Sequence, residues 1–248
     1  MLSKKIVKYI QSLSHKKFRD QEGAFIAEGP KVVSEFLLAS DTSCEMLCAE
    51  KDWLLGHPDL LRKIPPEHIY ETDGRWLKSI SLLKTPNLVV GVFRKRPVSG
   101  DPGISRGITL LLDDLQDPGN LGTIIRIADW FGLQNIICSQ NCVDCYNPKV
   151  VQSTMGSLAR VRVHYTDLIS FVTGHKNIKL YAASLSGTPL FALPKIETAM
   201  ICIGNESQGV QKDLLGLASE TITIPRYGGA ESLNAAVASG IILSQLLR

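Results

Sequence analysis

Three stretches in the second half of the chain place amide, carboxylate, hydroxyl and guanidinium groups directly after apolar, strand-like runs. The first is DDLQDPGNLGTIIRIADW, from Asp113. Pro118 and Gly119 turn the chain there, Asn120 stands where a helix N-cap belongs, and Arg126 follows within the second turn. Asn120 and Arg126 are six apart, so helical geometry alone does not align them. The second is IGNESQG, residues 203–209, a glycine-bracketed polar loop carrying Gly204 and Glu206. The third is IPRYGGAESLNAAVASG from Ile224, which carries Glu231, Ser232, Leu233 and Asn234 before a small-residue helix. Ligands of open parallel sheets bind at the carboxyl ends of strands, where all three loops belong. Each alone reads as ordinary turn chemistry. Together they form a set of positioning groups with no histidine among them, because His15, His57, His68, His164 and His175 are scattered.

A fourth stretch, CSQNCVDC at residues 138–145, has the C-x3-C-x2-C spacing that radical enzymes use to hold an iron–sulfur cluster. Cys138 falls inside the strand-like run NIICS, where a buried cysteine acts as a small apolar residue. Asp144 takes the place of the aromatic that usually precedes the third cysteine of such a motif, and only about a hundred residues follow it. Cys138, Cys142 and Cys145 are therefore expected to be bystanders, and no metal site is expected.

The elements that must position these loops alternate along the chain. ITLLLD, NIICS, RVRVH, KLYAAS, AMICIG and TITI read as buried parallel strands. Helical patterns lie between them at 121–131, 148–157 and 210–218, and a last one covers 234–247. Ahead of this half, RPVSGDPGISRG reads as a linker. The first half is a small α/β domain: AFIAE, the helix-like PKVVSEFLLAS, CEMLCA, HIY, a short helix near 75–80, and LVVGVF. The expected organisation is residues 1–96, a linker at 97–107, and a larger domain over 108–248.

Composition sets the class. The 248 residues are 44% hydrophobic and 21% charged, as in an ordinary globular protein, and no apolar run reaches the roughly 18 residues of a membrane span. Six irregularly spaced cysteines do not make a disulfide framework, and the basic start lacks a signal peptide's apolar core, so a cytoplasmic protein is expected. The net charge of +3 sits in residues 1–95, where 15 Lys or Arg face 12 Asp or Glu; residues 96–248 hold 12 of each. Lys4, Lys5, Lys8, Lys16, Lys17 and Arg19, with a second cluster at Arg94, Lys95 and Arg96, suit a polyanion, because contacts to phosphates release counterions. The alternative is a solvated helix face.

The three loops, in this order, resemble the motifs of the SpoU/TrmH family of RNA ribose 2′-O-methyltransferases in the SPOUT superfamily. NLGTIIRIADWFG is similar to the first motif, GNESQG to the second and SLNAAVASGIIL to the third; YNPKVVQSTMGSLARV also resembles the family. The match spans 108–248. FIAEGPKVVSEFLL resembles the ribosomal-protein-like substrate-binding domain of many members. Tyr227 to Glu231 depart from the commonest wording before the third motif.

The resemblance implies an α/β fold with a parallel sheet and a C-terminal trefoil knot, although knots are rare in general. It also implies S-adenosylmethionine as methyl donor, held by backbone groups at Gly204, Ile224 and Leu233. Asn120, Arg126, Glu206, Ser232 and Asn234 fall on the family's reaction and substrate positions, and members are homodimers with the site near the interface. The family's proposed base matches Arg126, but a guanidinium stays protonated, so clamping a phosphate and steering the 2′-hydroxyl suit it better. Ribosomal RNA is the expected substrate, with transfer RNA, methylation of a base nitrogen, or an RNA-binding protein without transfer activity as the alternatives.

Overall fold

Two sheets organise the chain, one in each of two compact units. The architecture is that of a computed structural model describing residues 2–97, 102, 104 and 107–247. Most of the linker expected at 97–107, namely 98–101, 103, 105 and 106, lies outside the described residues.

The first unit comprises Met1–Val98 and Asp144–Arg160. It opens with α1 (Lys4–Ser12), whose first turn is capped by the Ser3 hydroxyl, and α2 (Lys16–Glu22), which Gly23 ends in the left-handed region at φ 61°. Then follow β1 (Ala24–Glu28), α3 (Pro30–Leu38), β2 (Cys44–Glu50), α4 (Lys51–Gly56), α5 (Pro58–Leu61), β3 (Ile69–Thr72), α6 (Gly74–Ile80) and β4 (Val89–Arg94). The sheet order is β1-β4-β2-β3, with β4 antiparallel to both β1 and β2 and β3 parallel to β2. Phe25, Phe36 and Phe93 meet in its core at centroid separations of 5.2–6.0 Å.

The basic clusters are spent largely inside this unit. Arg19 is 2% exposed and donates to Asp144 and to the carbonyls of Leu13 and Ser14. Arg94 pairs with Glu45, Lys95 with Asp20, and Arg96 donates to the carbonyls of Leu158 and Ala159. Lys4, Lys5, Lys8 and Lys17 stay exposed, so only this part of the charge suits a polyanion.

The second unit begins with β5 (Gly107–Leu112), α7 (Pro118–Trp130) and β6 (Asn135–Ser139). The chain then supplies α8 (Pro148–Ser153) within the segment that belongs to the first unit, where it packs on β1. The expected helix at 148–157 ends at Ser153, because Met155 and Gly156 both take positive φ (51° and 97°). The second unit resumes with β7 (Arg162–Thr166), α9 (Leu168–Gly174), β8 (Leu180–Pro189), β9 (Thr198–Ile203), α10 (Lys212–Leu217), β10 (Glu220–Thr223) and α11 (Ala235–Leu246). Of these, α9 has no counterpart in the sequence reading.

Its six strands are all parallel, in the order β10-β8-β9-β5-β6-β7. Parallel strands buried on both faces need unbroken apolar runs, and the last five residues of β5, ITLLL, are all buried. Leu111, Ile137, Leu180, Met200 and Cys202, drawn from β5, β6, β8 and β9, join Leu214 of α10 in one core. The chain moves outward from β5 through β6 to β7, then restarts on the far side at β8. The strand order thus reverses between β5 and β9, where ligands of such sheets bind.

Candidate active site

The first loop is built from Asp117. Its carboxylate accepts the Asn120 N–H at 2.7 Å, and Pro118 takes the first helical position, where a missing N–H costs nothing. The N-cap is therefore Asp117 and not Asn120, as the sequence suggested. Asn120 is the third residue of α7, and its side chain is free to work elsewhere. The Asp-Pro-Gly ahead of it was the signal for this arrangement.

The second loop is held rigid by Asn205. Its amide donates to the Asp114 carbonyl at 2.8 Å, its oxygen accepts from the N–H groups of Ser207 and Gln208, and its backbone exchanges two hydrogen bonds with Gly209. Gly204 makes this turn possible. A Cβ there would lie 2.1 Å from the Gly209 carbonyl carbon and 2.2 Å from the Val210 nitrogen. The third loop ends at Asn234, whose oxygen caps α11 by accepting from Ala236 and Val237 at 2.9 and 3.3 Å.

The three loops meet through side chains. Asn120 donates to Glu206 Oε1 at 2.6 Å, and Asn234 donates to Asn120 Oδ1 at 2.7 Å. The direction of the chain is forced at both ends. A carboxylate only accepts, so it turns the Asn120 amino group toward itself and the Asn120 oxygen toward Asn234. The N–H groups of α11 likewise fix the Asn234 oxygen, leaving its amino group for Asn120. Glu206 also lies at the positive end of the 13-residue α7, which suits its charge.

Other expected residues stand apart from this chain of bonds. Arg126 is exposed on α7 with no partner among the described residues. Six helical positions put it about 9 Å along the axis and about 120° around it from Asn120. Ser232 and Leu233 are exposed and Ile224 is half-buried just past β10. The backbone of 224–233 makes no backbone hydrogen bond among the described residues, and apart from the Ala230 carbonyl, which accepts from the Arg226 guanidinium, its donors and acceptors are open to a ligand.

Behind the loops is scaffolding that sequence reasoning did not single out. Asp113 is buried, and both its oxygens accept from Gln211, one from the backbone and one from the side chain. Burial raises the Asp113 pKa, and the two Gln211 bonds oppose that rise. Asp114 adopts φ 54° while its N–H donates to Ser139 Oγ. Cys138, Cys142 and Cys145 are all buried. The Cys142 sulfur accepts from Leu115 N–H and donates to the Leu112 carbonyl, tying down the turn between β5 and α7. A bond with Cys138, then others with Ser139 and Leu115, lower its pKa to about 7 against the effect of burial. Among the described residues no group of three or more His, Cys, Asp or Glu side chains is placed to hold a metal ion.

Known proteins resemble this chain in sequence and in fold. The SpoU rRNA methylase family model matches residues 107–244, and the model of an MRM3-like substrate binding domain matches residues 4–91. The 23S rRNA (guanosine(2553)-2′-O)-methyltransferase of Bacillus subtilis is 32% identical over 97% of this chain and 95% of its own. The human mitochondrial rRNA methyltransferase 3 is 27% identical over 91% of this chain and 68% of its own. Among solved structures, the AdoMet-bound rRNA methyltransferase of Sinorhizobium meliloti superposes with a TM-score of 0.87 at 29% identity, covering 99% of this chain and 95% of that one.

Proposed function

This chain belongs to the SpoU rRNA methylase family, and from that premise we propose that it transfers a methyl group from S-adenosylmethionine to a ribose 2′-hydroxyl of ribosomal RNA. The observation that carries the reading is the bonded chain Glu206–Asn120–Asn234, drawn from three loops far apart in sequence.

When bound, S-adenosylmethionine supplies an electrophilic methyl carbon on a sulfonium. Backbone groups at Gly204, Ile224 and Leu233 would hold it. The open backbone of 224–233 and the tight turn at Gly204 fit that task. What remains for the protein is to orient a weak nucleophile. Orientation can contribute roughly 7–11 kcal/mol, whereas general-base help contributes only about 10²–10⁴ in rate. A site of interlocked amides and one carboxylate answers the larger need. Ser232, exposed beside Asn234, and the unpartnered Arg126 face solvent and are assigned to the RNA, Arg126 to the phosphate of the target nucleotide.

The proposal extends to the rest of the molecule. Residues 1–96 bind the substrate, with exposed Lys4, Lys5, Lys8 and Lys17 as phosphate contacts, and 108–248 carry the transfer site. The C-terminal segment forms the family's knot, the protein works in the cytoplasm, and two copies make the active form. No helix among the described residues is long and apolar enough to cross a membrane.

The test is ribose-methylation mapping of ribosomal RNA incubated with the purified protein and S-adenosylmethionine. One new 2′-O-methyl nucleotide is expected. The variant Arg126→Lys should lose most turnover yet bind the cofactor normally by calorimetry, since lysine offers a point charge in place of a planar fork. Methylation of a base, or no methylation of RNA at all, rejects the assignment.

A further inference from the structure

An open cleft of about 490 Å³ lies at the carboxyl ends of β5, β6, β7 and β9, and none of the residues assigned above to cofactor or methyl transfer lines it. Its size is within the roughly 300–1,000 Å³ of small-ligand sites. The rigid loop after β9 is shared. Glu206 turns into the bonded chain with Asn120, while Asn205, Gln208 and Gly209 of the same turn form a wall of the cleft.

The lining chemistry narrows the ligand. The side-chain amides of Gln140, Asn141 and Gln208 have no partner among the described residues, and each can both donate and accept. Asp114 spends one oxygen on Gln116 and keeps the other free, whereas Asp167 accepts from both the N–H and the side chain of Ser170 and retains further acceptor capacity, since each carboxylate oxygen can take two bonds. Three carboxylates, those of Asp113, Asp114 and Asp167, face a single ammonium, Lys212, so the cleft repels a phosphate. A metal ion is disfavoured by the same side chains, which do not converge on one point. Buried Leu168 and Val210 add a small apolar surface. Unpaired amides and acidic acceptors over an apolar patch match the edge and face of an unstacked nucleobase, whose amino and imino N–H groups need acceptors.

We propose that this cleft reads a base of the substrate RNA near the methylated nucleotide, with Gln140, Asn141 and Gln208 bonding its edge and Asp114 or Asp167 accepting from its N–H groups. The inference rests on the RNA methyltransferase reading and adds a specificity site to it. Because the loop after β9 serves both places, the occupied cleft would set the distance between the read base and the ribose presented to Asn120 and Asn234.

The experiment is a double-mutant cycle between protein and RNA. Single abasic nucleotides are placed in turn on either side of the methylated position, in an RNA fragment that the full-length protein methylates. At one position the abasic change should lower the wild-type kcat/KM about tenfold or more, the discrimination expected of a bidentate base contact. Exposed Gln140 and Gln208 can be replaced without disturbing the core. The Gln140→Ala/Gln208→Ala protein should show the same loss on intact RNA and no further loss on that abasic RNA, with cofactor affinity unchanged. If the wild type is active and no abasic position shares its effect with the variant, the cleft does not read a base and the proposal is overturned. If the wild type methylates no RNA ribose, the parent reading fails instead, and this one falls with it.

Discussion

At the scale of single residues, Asn234 has two jobs that one substitution can separate. Its oxygen caps α11 and its amino group holds Asn120. Aspartate is as good an N-cap as asparagine, so Asn234→Asp should leave thermal stability within about 0.5 kcal/mol. It cannot donate to Asn120 Oδ1, however, and sets two acceptors face to face. Turnover should fall on the order of a hundredfold, the cost of a misplaced reacting group. Equal activity in the variant would leave Asn234 with only its structural task. Gly204 gives a second, independent test. Any Cβ there drives into the backbone of Gly209 and Val210, so Gly204→Ala should cost about 1–3 kcal/mol in denaturant unfolding and displace Glu206. Asn120, Glu206 and Asn234 could be picked out in the sequence because each follows a strand-like run in the family's motif. The isolation of Arg126 from them was not legible, since a spacing of six states an angle on a helix but not what stands opposite it.

Secondary structure was legible where burial dictates composition. The runs at 108–112, 135–139 and 198–203 form strands because only unbroken apolar sequence survives between two covered faces. The segment YNPKVVQSTMGSLAR was a different matter. Its apolar residues announce a buried helix without saying which core buries it, and Asp144–Arg160 pack with the first unit. Arg19 misled in a similar way: a cationic cluster reads as solvent-facing, yet this guanidinium is buried against Asp144 at 2.7 Å. That pair joins α2 to the distant segment, helped by the contact of Arg160 with Glu35. Removing one partner of a buried pair strands the other charge, so Arg19→Ala should destabilise the protein by about 3–5 kcal/mol. The Arg19→Met/Asp144→Asn double variant, which leaves no charge behind, should recover part of that loss. The midpoints of urea unfolding curves decide it, and a double variant less stable than Arg19→Ala contradicts the account.

For the whole molecule, the exposed side of α7 bears on how many chains make one active site. Thr123, Arg126 and Trp130 stand at i, i+3 and i+7, so they share one face of the helix, and all three are exposed. Trp130 is 86% exposed, and Val237 on α11, which packs beside α7, is 51% exposed. Large apolar side chains left open in this way mark an association surface. The proposed homodimer would cover them, and it would also account for Arg126 having no partner among the described residues: a guanidinium one turn from Trp130 would lie at the edge of the interface, where a second copy can complete the site. Light scattering should then give roughly twice the 27.2 kDa of one chain. Trp130→Glu should yield monomers, because burying an unpaired carboxylate costs several kcal/mol. Those monomers should keep the fold of the parallel sheet, since Trp130 contributes little to it, but lose RNA methylation. A wild-type protein that is monomeric and fully active at assay concentration would instead place every group the reaction needs, Arg126 included, on a single chain.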